Sequence, residues 1–203
     1  KMEQEIIQPI DKAVLKSELT PDKQLRMTNK SHNEIYIITA HNAPNVMKEI
    51  GRLREIAFRE AGGGTGKSMF IDEFDTCENC YKQLIVWNPE AEEIIGGYRY
   101  VLCDEVMYDR FGQPIMPSAH LFRFTQRFLR NGFLRTIELS RSFIRPEYQS
   151  SEQGMKSLYA LDNLFDGLGG LIMLYKGRMD YFFGKMTIYP SFPEKGLGLL
   201  LYL

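Results

Sequence analysis

The stretch Leu134-Arg135-Thr136-Ile137-Glu138-Leu139-Ser140-Arg141-Ser142-Phe143-Ile144 reads as a strand, yet it carries Glu138 and Arg141 in its middle. A charge in mid-strand is costly to bury unless it is paired or hydrogen-bonded. Side chains alternate along a strand, so residues three apart face opposite ways. Glu138 and Arg141 share a face only if a bulge between them adds a residue to the register. Such a bulge also leaves a backbone N–H unpaired, a group able to bind a developing oxyanion. The plainer reading is a strand near a sheet edge, its charges solvated or paired with each other.

Working outward, Arg99 interrupts a second strand-like run, Ile94-Ile95-Gly96-Gly97-Tyr98-Arg99-Tyr100-Val101-Leu102. Lys82 to Trp87 and Glu93 to Leu102 are predicted to form a hairpin across Asn88-Pro89-Glu90. Asp72 and Asp75 sit in an irregular acidic loop from Thr65 to about Asn79. Three acids (Asp72, Asp75 and Glu138) and two bases (Arg99 and Arg141) on or beside neighbouring strands suggest a deliberate polar site. Glu34 to Ala40 is a predicted first strand, and Asn42 and Pro44 open a helix. Val46, Ile50, Leu53 and Ala57 recur in it at helical spacing, Arg54 and Phe58 share a face, and Gly62 to Gly64 end it.

Residues 119 to 131 read as a helix with Leu121, Phe124 and Phe128 on one stripe and Arg123, Arg127 and Arg130 on the next. Met155 to Tyr175 reads as a long helix, and its stripe Leu158, Leu161, Phe165, Leu168, Ile172 and Tyr175 is expected in the core. Tyr181 to Tyr189 is a final strand. This order predicts an α/β (α+β) layered domain over residues 34–189. Residues 1–33 are expected to be an N-terminal arm or peripheral segment, and 190–203 an incomplete C-terminal tail.

The chain has 203 residues, 44% hydrophobic and 25% charged, with net charge −1. That fits one domain, or one with an arm, and argues against a dedicated nucleic-acid binder, which would be basic. Three cysteines make no disulfide framework and point to a reducing cytoplasm. No apolar run approaches the roughly 20 residues that a spanning helix needs.

Two motifs tempt. Ala61-Gly62-Gly63-Gly64-Thr65-Gly66-Lys67-Ser68 fits a permissive phosphate-loop pattern with Ala in the first glycine position. That mechanism needs a buried strand before the loop and a helix after it. Here a charged amphipathic helix precedes it, so the segment is read as a glycine hinge into the acidic loop. Cys77-Glu78-Asn79-Cys80 has metal-ligand spacing without a second pair, and His32, His41 and His120 are dispersed, so no metal site is expected.

In order and spacing, Arg54, Phe58, Asp72, Asp75, Arg99, Glu138 and Arg141 resemble the N-acyl-homoserine-lactone synthases. More closely they resemble the N-acyltransferases that make the lyso forms of ornithine and glycine lipids. Those enzymes, sometimes called haemolysin-like, lie in the GCN5-related N-acetyltransferase (GNAT) superfamily. Asp162-Asn163-Leu164-Phe165-Asp166-Gly167-Leu168-Gly169 and Tyr181-Phe182-Phe183-Gly184-Lys185 look like its lipid-forming branch, of the Bacteroidetes type. The resemblance covers roughly Glu34 to Tyr189.

The resemblance implies a mixed, curved sheet flanked by helices, with an acyl thioester in a V-shaped cleft between central strands. It implies no bound cofactor. The co-substrate would be acyl carrier protein bearing a 4'-phosphopantetheine thioester, or acyl-CoA, its phosphate near Gly154 and Lys156. Only one glycine stands there, which favours the carrier protein. An amine would attack the thioester, with Glu138 as base and Asp72 and Asp75 as acidic alternatives. Arg141 or Arg99 would bind the acceptor's carboxylate, or Arg99 would hold the Asp72–Asp75 loop. Arg54 and Phe58 join the substrate-binding set. Carrier proteins are acidic, and Arg123, Arg127 and Arg130 would receive one. The same segment would alternatively sit peripherally at a membrane, or be a solvated helix face. The expected function is transfer of a (3-hydroxy)fatty acyl group to a small amino acid, glycine before ornithine. The alternatives are a homoserine-lactone synthase, or a non-catalytic acyl- or carrier-binding or haemolysin-like protein.

Overall fold

The computed structural model describes residues 3–149 and 155–185, with side chains for all of these except 155–158. Helix α1 (Lys12–Glu18) and strand β1 (Gln24–Met27) precede strand β2 (Glu34–Ile38), helix α2 (Pro44–Glu60) and the short helix α3 (Glu73–Thr76). Strands β3 (Lys82–Asn88) and β4 (Glu93–Leu102) follow as a hairpin. An excursion containing helix α4 (Gln126–Asn131) then leads to β5 (Thr136–Ile144), helix α5 (Met155–Leu174) and β6 (Tyr181–Gly184).

The six strands form one open sheet in the order β1-β2-β3-β4-β5-β6. Neighbours are antiparallel, except that α5 carries the chain back so that β6 runs parallel to β5. β6 pairs with β5 from Thr136 to Leu139 only. Among the described residues no strand lies along the rest of β5 on that side.

Period-two alternation sends successive residues to opposite faces, each covered by one helix. Tyr36, Ile38, Ile85, Trp87 and Phe143 pack against Val46, Ile50 and Leu53 of α2. Ile35, Leu84, Val86, Tyr98, Tyr100 and Leu102 pack against Ala160, Leu164 and Leu171 of α5. A third cluster, with Tyr81, Val101, Met116, Leu129 and Phe133, lies under the excursion between β4 and β5.

Three expectations change. Residues 1–33 are more than an arm: β1 is the outer strand of the sheet, and Leu15 and Leu19 are buried with the α2 cluster. The carboxylate of Glu18 accepts the N–H groups of Asn45 and Val46, both at 2.9 Å, at the positive end of α2. Residues 119–131 are not one helix. His120 ends a turn of 3-10 helix, and Thr125, whose hydroxyl accepts Phe128 N–H, starts α4 afresh. The α5 stripe is only partly in the core: Leu168 and Tyr175 pack against the sheet, Leu161, Phe165 and Ile172 are about half exposed or more, and the buried face runs through Ala160, Leu164 and Leu171. The predicted strand positions 186–189, and the tail 190–203, lie outside the described residues.

Candidate active site

The bulge required by Glu138 and Arg141 is present. Gly97 of β4 faces Phe143 and Arg99 faces Ser140, so Arg141 and Ser142 together oppose Tyr98. Arg141 takes φ 55°, the left-handed conformation of an inserted bulge residue. The insertion puts Arg141 on the α2 side of the sheet, the side that Glu138 and Arg99 already face.

Four of the marked charges, with Arg54 from α2, form one network. Asp72 caps α3: its carboxylate accepts Phe74 N–H at 3.1 Å, and Asp75 Oδ2 accepts Asp72 N–H at 3.0 Å. Arg99 Nη1 donates to Asp72 Oδ1 at 2.6 Å and lies 3.2 Å from Asp75 Oδ1, while its Nε donates to Ser140 Oγ at 2.9 Å. Arg54 Nη1 donates to Asp75 Oδ1 at 3.1 Å. Gln83 joins the two, accepting from Arg54 and donating to Asp75 Oδ1 at 2.9 Å. Arg141 Nη2 reaches Asp72 Oδ2 at 3.3 Å, with its guanidinium 4.4 Å above the Phe70 ring. Phe58 packs edge-on against Phe70 at 5.3 Å.

Exposure separates roles within this network. Arg54 and Arg99 are wholly buried. They reach one another's acids rather than a cleft, so the geometry makes them the scaffold of the α3 loop instead of groups that meet a substrate. The Arg141 side chain is 30% exposed and makes a single contact with Asp72. Burial pushes Arg54 down to about 10, against the pull of Asp75. Burial would raise Asp75, but the Arg54 and Arg99 charges outweigh it and hold its carboxyl below the ordinary range.

Glu138 stands apart. It is buried, and its Oε2 accepts the Tyr81 phenol at 3.3 Å. Burial is the largest influence and pushes its pKa up; the Tyr81 bond and the Arg99 charge offset only part of that. A buried carboxylate with a raised pKa beside a strand bulge is suited to accept a proton near neutral pH.

Sequence reading missed Tyr81, Gln83 and Phe70. Tyr81 and Gln83 were findable: Gln83 pairs with Arg99 across the β3–β4 ladder, and Tyr81 lies two residues before it on the same face. Phe70 carries no periodic signal. Of the other marked residues, Gly154 lies outside the described residues, and Lys156 is described in its backbone alone, in the first turn of α5. Arg123, Arg127 and Arg130 are exposed, Arg123 before α4 and the other two on it.

The phosphate-loop look-alike has an occupant. Glu55 Oε2 accepts Thr65 N–H at 3.1 Å and the Thr65 hydroxyl at 2.6 Å, and Oε1 accepts Gly66 N–H at 2.8 Å. A carboxylate of α2 therefore takes the donors that a phosphate would need. Cys77, Cys80 and Cys103 are free thiols. No group of three or more metal-binding side chains occurs among the described residues.

Comparison with known proteins fits this architecture. The chain is 62% identical over 199 residues to the glycine N(alpha)-acyltransferase of Phocaeicola vulgatus, an alignment covering 98% of this chain and 61% of that protein. It is 60% identical over 199 residues to the glycine N(alpha)-acyltransferase of Bacteroides thetaiotaomicron, covering 98% of this chain and 59% of that one. The chain thus spans about three-fifths of the length of these curated relatives. The profile of the acetyltransferase (GNAT) domain matches residues 53–159, which run from α2 through the bulged strand to the first turns of α5. With that match, and with an open mixed sheet that contains a bulged strand, the chain belongs to the GNAT acetyltransferase family.

Proposed function

We propose that this chain carries the acyl-transfer site of an N-acyltransferase that moves a fatty acyl group from a thioester to the α-amine of glycine. The observation that carries the reading is the bulge at Arg141, which sets a partly exposed guanidinium and a buried carboxylate on one face of β5. The names of the two relatives point to glycine as acceptor. The donor is acyl carrier protein or acyl-CoA, its pantetheine lying against the bulged strand β5.

In this reading the acceptor's carboxylate binds Arg141, drawn partly away from Asp72. Glycine's ammonium gives a proton to Glu138, directly or through one water, and the free amine attacks the thioester carbonyl. The C–N bond forms, and the oxyanion of the tetrahedral intermediate takes a backbone N–H left unpaired by the bulge. The C–S bond then breaks, the leaving thiolate takes the second proton lost by the attacking nitrogen, and Glu138 releases its proton to solvent. The product with a 3-hydroxyacyl donor is a lyso-aminolipid, an amphiphile that fits an enzyme working at the periphery of a membrane.

The test is thiol release from 3-hydroxypalmitoyl-carrier protein, with glycine, ornithine, serine and S-adenosylmethionine as separate acceptors and products read by mass. Release with glycine, and the mass of N-acylglycine, is the expected result. Release only with S-adenosylmethionine would transfer the chain to lactone synthesis. No release with any acceptor would overturn the catalytic reading.

A further inference from the structure

The excursion between β4 and β5 holds a feature that acyl transfer does not use. Residues 107–115 fold back on themselves: Ile115 N–H donates to Met107 O at 2.7 Å and Asp109 N–H to Gln113 O at 2.8 Å, with Gly112 at φ 72° in the turn. The Asp109 carboxylate accepts Phe111 N–H at 2.8 Å and Gln113 N–H at 2.9 Å, so these donors at the tip are satisfied within the hairpin. Yet the side chains it presents are apolar. Phe111 is 72% exposed, Met107 66% and Ile115 49%, and the following Leu121 and Phe122 are 61% and 46% exposed.

These side chains lie close together. Phe111, Ile115, Phe122 and Arg123 line one groove of about 680 Å³. Arg110 lies 4.7 Å over the Phe111 ring. Asp104 and Glu105 are paired with Arg178 and Lys82; Arg110, Arg123, Arg127 and Arg130 are the positive charges of this segment, and Asp109, whose backbone hydrogen bonds leave its charge in place, subtracts one from them. Glu73 also lines the groove and subtracts one charge from that sum.

We propose that this hairpin and the Leu121–Arg130 segment form a wedge that docks the chain on an anionic lipid surface. Exposed large apolar side chains with Arg110 and Arg123 beside them suit the boundary between headgroups and acyl chains. Apolar exposure of this extent is uncommon on a surface that meets only water. A hairpin whose own carbonyls and carboxylate take its N–H groups loses few bonds to water when it enters that boundary. Phe122 packs 6.1 Å from Phe183 of β6, the residue paired with Glu138, so the wedge stands beside the paired segment of β5 and β6. Such a surface would let an acyl product pass to lipid without crossing water. The same arginines were marked by the sequence for a carrier protein. The exposed aromatic tip favours lipid.

Sedimentation of the 203-residue chain with vesicles tests this without catalysis. The chain is expected to pellet with phosphatidylcholine vesicles containing phosphatidylglycerol, to pellet poorly with phosphatidylcholine alone, and to be released by salt. Phe111→Ser combined with Phe122→Ser should weaken partitioning roughly tenfold or more, and Arg123→Glu with Arg127→Glu by a similar factor. All four sites are exposed, and unchanged circular dichroism would show the variants folded. Absence of binding to the anionic vesicles overturns the proposal, as does binding that both double variants retain. An arginine variant that keeps vesicle binding but raises KM for carrier-bound donor alone would assign the face to the carrier protein instead.

Discussion

Tyr81 donates its phenol hydrogen to Glu138 Oε2 across 3.3 Å, and no arginine reaches that carboxylate among the described contacts. Asp75, equally buried, is met by both Arg54 and Arg99. Two acids on one face of one sheet are thus driven in opposite directions, Asp75 toward the permanent charge of a scaffold and Glu138 toward the proton.

The acid limb of kcat/KM should therefore lie above the ordinary carboxylate range if Glu138 is the base. Besides Tyr81, the groups facing it are Arg99, the Ser118 hydroxyl, the Cys103 thiol and Lys185. Tyr81→Phe removes a bond to the charged form, so the limb should move to higher pH. Glu138→Gln should reduce turnover by roughly 100-fold or more while the protein stays folded. An unmoved limb in the Tyr81 variant, or near-normal turnover in Glu138→Gln, would pass the base's role to another group.

Asp75→Asn should destabilise the fold by about 3–5 kcal/mol near neutral pH, because Arg54 and Arg99 keep their burial and lose a carboxylate. The sign of the pH dependence follows from a folded pKa lower than the unfolded one. The stabilisation is present above the ordinary Asp value of about 4 and disappears as pH falls through the folded value. Urea unfolding at several pH values should show the gap between Asp75→Asn and the parent narrowing in acid. Glu138, with its raised folded pKa, contributes in the opposite sense, its term fading as pH rises through that value.

Glu55 is fully buried and carries the Thr65 and Gly66 donors together with two bonds from Arg59. Burial alone would raise its pKa; those bonds outweigh it and hold the carboxyl below the usual range. Glu55→Ala should cost about 3 kcal/mol or more, since hydrogen bonds to charged groups contribute roughly 1.5–3 kcal/mol each and do not add fully. The parent chain should show no change in melting temperature with ATP and magnesium. A nucleotide-dependent rise would mean that the loop opens to phosphate after all.

How far the sequence is legible varies with the physical signal each element carries. Helix α2 and the β3–β4 hairpin are plain, because a proline start, a helical apolar period and a turn-forming Asn-Pro agree with the packing. The bulge is legible only as one of two readings, since two charges three apart fit equally a strand near a sheet edge; the burial of Glu138 decides for the bulge. The face of α5 is not, because the helix is apolar on nearly every side and no stripe stands out. Its small residues decide the matter: a Cβ at Gly167 would sit 2.7 Å from the Tyr98 hydroxyl, and one at Gly170 2.6 Å from Leu25 Cδ2. The sheet approaches where α5 is thin, and Leu161 and Phe165 are left about half outside while Leu164 and Leu171 stay buried. Strand β1 is four residues of mixed polarity, too short to carry a period.

Arg141 joins a backbone requirement to a chemical one, and substitution can separate them. At φ 55° an L-residue carries a cost of roughly 1–2 kcal/mol that glycine does not. Arg141→Gly should thus be about 1 kcal/mol more stable than Arg141→Ala, with the bulge intact in both. If the guanidinium holds the acceptor's carboxylate, both variants should raise KM for glycine roughly tenfold or more and leave KM for the donor near its parent value. Arg141→Lys keeps the charge without the planar fork and should recover only part of that loss. Equal rises in both KM values would place the effect in the bulge rather than the guanidinium. An unchanged KM for glycine in Arg141→Gly would move the carboxylate to another cation, and because Arg54 and Arg99 are sealed behind Asp72 and Asp75, the α3 loop would then have to open for glycine to bind.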